Sequence, residues 1–152
     1  MLSTLSLLSM KHPLAMKAMI QEALVPGVSV EHLQYANPAI GNNGDMTVGV
    51  YMNPQAYQDS TWPFRGQVEF TYNRMAFSDF FSGIDLTFPA ASSPKTSVIV
   101  ARLRRIFNVI IEDNDYINET IVTTDQPQVY TLRAYPLSER WYGSVPITLT
   151  PP

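Results

Sequence analysis

Few residues of this chain are of a type and spacing to do chemistry. Its two histidines, His12 and His32, stand far apart in unrelated contexts. A metal site needs imidazoles, thiolates or carboxylates at short fixed offsets, and neither histidine has such companions. His12 precedes a predicted helix and reads as a capping or surface residue. The chain has no cysteine. Thiolate nucleophiles, thiolate metal ligands and disulfides are thereby excluded, which fits folding in a reducing compartment. A His-Glu-x-x-His pair, a phosphate-binding loop and a Gly-x-Ser-x-Gly elbow are all missing.

The only acidic cluster is Glu112-Asp113-Asn114-Asp115. A calcium loop alternates its oxygen ligands, turns sharply on a glycine and closes on a distal glutamate. Here the glycine is absent and Glu119 stands at the wrong offset, so the run reads as a solvated polar turn. Glu69, Asp79 and Asp85 fall near predicted strand ends, where paired carboxylates could act as acid and base. Chance alone supplies such pairs in a chain this long. The resulting expectation is a protein that is not an enzyme and takes no cofactor and no metal.

Three arginines, Arg102, Arg104 and Arg105, gather near the end of a predicted helix, where cations complement the helix dipole. They read as a solvated face, or else as contacts to an acidic neighbour. Asn118-Glu119-Thr120 matches a glycosylation acceptor, which matters only in a secreted chain. Trp62-Pro63-Phe64-Arg65 marks a loop-to-strand junction. Its aromatics either close the core or form a binding hot spot.

The elements that must position these residues follow from periodicity. Pro13 opens a predicted helix over about 12–24, with Leu14, Ala18, Met19 and Ala23 at helical spacing and Pro26-Gly27 as the stop. Residues 28–44 read as irregular, because Asn37-Pro38 and Gly41 to Gly44 are turn chemistry. Strands are expected at 46–52 and 66–72, the second with Val68, Phe70 and Tyr72 on one face. A short helical turn over 77–83 ends at Gly83. Ile84, Leu86 and Phe88 then alternate onto one side. A second helix is expected over about 95–108, with Ile99, Leu103, Ile106 and Phe107 as its apolar stripe. The end reads as strands at 119–124, 129–134 and 143–150, the last two joined by a hairpin through Pro136 to Arg140. This order implies an α+β fold, mainly antiparallel and sandwich-like, with two helices. The expected organisation is an N-terminal arm over 1–11 and a single domain over 12–152.

At 152 residues the chain can bury one real core. Charged residues make up 15%, against about 25% in ordinary proteins. Apolar content is 45%, with 8 Tyr, 7 Phe, 7 Met and 2 Trp. Scarce charge beside ordinary apolar content suits surface that is hidden against partners, and equally a β-rich domain with a Ser/Thr/Asn surface. A net charge of −3 gives no global footprint for nucleic acid. The Met1–Met10 stretch lacks a basic start, and no run is long enough to span a bilayer.

Several segments in order carry a resemblance. They are Val30-Glu-His-Leu-Gln-Tyr-Ala-Asn-Pro38, the Gly66-to-Arg74 strand running into Phe77–Gly83, Ile106-Phe-Asn108 with Ile110 to Asp115, and Tyr130 to Ala134 with Trp141 to Leu149. Over roughly 14–150 the chain resembles small virion proteins and domains of large tailed bacteriophages, many with contractile tails. The resemblance implies a virion component, assembled in the host cytoplasm, that contacts other virion proteins in many symmetric copies. From charge and the lack of a long apolar run, no nucleic-acid and no membrane partner is expected. Tail, baseplate or neck is the expected place, with capsid decoration as the alternative. Candidate contact residues are Leu5 and Leu8 in the arm, Trp62 and Phe64, Arg102 and Arg105 on the second helix, and Tyr142. An alternative of another class is a carbohydrate- or receptor-binding module with Tyr57, Trp62 and Tyr142 as a stacking platform. A small carboxylate hydrolase is the third.

Overall fold

The computed structural model describes Ala18 and residues 33–40, 45–52 and 67–151. The chain divides into two compact units, Met1–Asn73 and Arg74–Pro152. The expected arm over 1–11 and most of the expected helix at 12–24 lie outside the described residues.

In the first unit β1 (Leu33–Ile40), β2 (Asp45–Met52) and β3 (Gln67–Asn73) form an antiparallel sheet in the order β1-β2-β3. β2 and β3 lie where the alternation placed them. β1 corrects the irregular reading of 28–44. Its register against β2 shifts between Ala36 and Ala39. Proline cannot donate to a ladder, so an edge strand with a bulge is where Asn37-Pro38 can be accommodated. Thr47 and Thr71 face each other across β2 and β3, their hydroxyls 3.0 Å apart.

The second unit is mixed. β4 (Met75–Ala76) runs directly into a short helix, α1 (Phe77–Phe80), and the turn closes with Gly83 at φ +74°. That positive φ suits a residue without Cβ. β5 (Thr87–Pro89) follows, then α2 (Thr96–Phe107), β6 (Gln128–Arg133), β7 (Trp141–Tyr142) and β8 (Ser144–Thr150). The three-stranded sheet has the order β5-β8-β6, with β5 parallel and β6 antiparallel to β8. β4 and β7 pair in parallel.

The sheet's inner face carries Phe88, Leu132, Val145, Ile147 and Leu149, all buried. α2 buries Thr96, Ile99, Val100 and Leu103. This corrects the predicted stripe. At 100° per residue a stripe centred on these four continues through Phe107, and it leaves Ile106 at its margin, 60% exposed. Ile84 is also corrected: it still belongs to the turn, donating its N–H to Phe81, and is exposed.

The expected strand at 119–124 is not one. Lys95 and Thr120 make an isolated bridge, and Val122 is 82% exposed. The segment instead serves the start of α2. Lys95, the N-cap, makes no side-chain bond there. Thr96 N–H donates to the Glu119 carbonyl (3.0 Å), Ser97 N–H to Asn118 Oδ1 (3.3 Å), and Ile121 N–H to the Pro94 carbonyl (2.9 Å). Two of the orphan amides of a helix start are thus satisfied from a remote segment. α2 ends on Asn108 in the left-handed region, φ 50°, one of the few non-glycine types that tolerates it.

Candidate interaction surface

The acidic run is a turn with Asp113 and Asn114 in solvent, but its last residue is not solvated. Asp115 is only 3% exposed. Its Oδ2 accepts the Glu112 N–H at 2.7 Å, and its Oδ1 accepts the Ser138 hydroxyl at 2.7 Å. Ser138 Oγ in turn accepts N–H from Trp141 at 3.1 Å and from Arg140 at 3.4 Å. The Asp115 carbonyl accepts the Tyr135 N–H at 2.9 Å. Arg140, itself buried, reaches Glu112 Oε2 at 2.9 Å. Arg104 adds a 3.2 Å pair with Asp113 and a bond from Nε to the Ile111 carbonyl. Burial pushes the Asp115 carboxyl above its ordinary range, against the opposing pull of the Ser138 and Glu112 bonds and of the Arg140 charge.

This cluster fixes the loop between β6 and β7 from below. Arg74 fixes it from the side. Its Nη1 lies 2.8 Å from the Ser138 carbonyl and 3.3 Å from those of Pro136 and Trp141, and the guanidinium sits 5.5 Å from the Tyr142 ring centre. The loop so held presents Tyr135 and Leu137, 45% and 62% exposed. Arg74→Ala removes a charged donor serving several carbonyls, which is worth about 1.5–3 kcal/mol. The expected result is a lower thermal midpoint and faster proteolysis within 134–143. Arg74→Lys restores little, because an ammonium lacks the planar fork.

A second network ties α2, the 118–121 segment and β6 together. Thr96 Oγ1 lies 2.7 Å from Tyr130 Oη, and Tyr130 donates to Glu119 Oε1 at 3.0 Å. Arg133 meets both Glu119 oxygens at 3.2 Å. Burial raises the Tyr130 phenol above its usual range, so it stays a neutral donor at neutral pH.

Of the predicted contact residues, Leu5, Leu8, Trp62 and Phe64 lie outside the described residues, as do Tyr57 and both histidines. Arg105 is exposed beside Ile106 on α2. Arg102 is turned back onto its own unit: Nη1 donates to Ser93 Oγ at 3.2 Å, and its guanidinium lies 5.9 Å from the Phe88 ring centre. Tyr142 belongs to the Arg74 cluster and not to the helix arginines. Asp79 and Asp85 are exposed, and Asp85 accepts the Thr87 hydroxyl at 2.6 Å. Among the described residues no group of three or more His, Asp or Glu is placed to hold a metal. Among them, too, no helix is long and apolar enough to cross a membrane.

The residues that matter most here, Asp115, Ser138, Arg140 and Arg74, carry no local motif. Only the pairing of an acidic turn with a remote Ser-x-Arg could have pointed to them. A family model matches residues 30–152 across both units, and it is described as a family of unknown function (DUF7941). No curated protein and no solved structure matches the chain.

Proposed function

The chain belongs to DUF7941, and we propose that it is a structural subunit of a tailed-phage virion that works by protein–protein contact. The observation that carries this is the loop tip. Tyr135 and Leu137 stand in water on a backbone held by Arg74, Asp115 and Ser138. Apolar side chains on a pre-ordered support lose little entropy when a partner covers them. Support also comes from the scarcity of charge and from the resemblance over 14–150 to virion parts. Tail, baseplate or neck is the place proposed for it, with capsid decoration the alternative. The stacking-platform reading is weakened by Tyr142, whose ring is half-buried and already faces the Arg74 guanidinium.

The test is quantitative mass spectrometry of purified particles. The proposal expects this chain at a fixed copy number that is a multiple of the particle's symmetry. Its absence from washed particles sinks the proposal.

A further inference from the structure

We draw no further inference here: the strongest candidate, the open outer face of the β5-β8-β6 sheet, where Thr87, Val129, Thr131 and Thr148 are exposed, carries nothing, because nothing in the structure shows what covers it.

Discussion

Trp141→Ala is expected to destabilise the second unit severely, by about 3–5 kcal/mol. Trp141 is 0% exposed. Its ring stacks on Phe77 at 4.9 Å and meets the edge of Phe80 at 5.4 Å, while Phe80, Phe81 and Phe107 extend the aromatic row. β7 holds the ring there by pairing Trp141 with Met75. A buried aromatic truncated to alanine costs about 3–5 kcal/mol in transfer and cavity terms. Whole domains carry only about 5–15 kcal/mol, so the loss is a large fraction of the stability. Trp141→Phe keeps the stacking and should cost far less. Urea unfolding followed by circular dichroism is the check: the midpoint of Trp141→Ala falls sharply, and that of Trp141→Phe falls little. Equal midpoints for Trp141→Ala and wild type would mean that the aromatic row is not the unit's keystone.

Asp115 gives the second large effect, with a pH signature. Asp115→Ala strands the Glu112 N–H and takes the acceptor from Ser138. Each buried orphan costs about 1–3 kcal/mol, so about 3 kcal/mol is expected in all. The sign of the pH dependence is unusual for a carboxylate. Its pKa is raised in the folded state by burial, so between the ordinary 3.8 and that raised value the folded chain binds the proton more tightly than the unfolded chain. Stability from this group therefore falls as pH rises through the window and is fully present below it. Asp115→Asn has no proton to bind. Wild type should gain on Asp115→Asn as the pH is lowered from 7 toward 4. Denaturant midpoints of the two at several pH values decide it, and a wild type that loses ground to Asp115→Asn as the pH falls contradicts the burial-dominated carboxyl.

The parts of the fold legible in the sequence are those whose periodicity matches their own burial. α2, β6 and β8 bury one face at a period of 3.6 or 2, and these, with β2 and β3, appear within about two residues of their expected bounds. The α+β class follows from them. β1 was hidden by Asn37-Pro38, turn chemistry that a bulged edge strand absorbs. The 119–124 segment looked apolar enough for a strand, but its polar groups are spent on the start of α2. Ile106 fits a helical stripe in sequence and falls off its edge in space.

The contact surface was less legible. Arg102 reads as an available cation, yet it is bonded to Ser93. Asp115 reads as solvent-facing, because its hydroxyl partner Ser138 lies 23 residues away and its burial is decided by a loop that local pattern cannot place. Leu137 falls within the predicted hairpin and Tyr135 just before it, and neither carries a local signal of contact. What makes them notable is Arg74, 62 and 64 residues from the carbonyls of Pro136 and Ser138 that it holds.

Hydroxyl-radical footprinting of the free chain against the assembled particle tests most directly whether this protein works by contact. Tyr135 and Leu137 are both reactive side chains and both exposed in the free chain. If they are contact residues, their labelling should drop severalfold in the particle. Labelling of Tyr135 and Leu137 that is unchanged on assembly would contradict the proposed role of the loop tip.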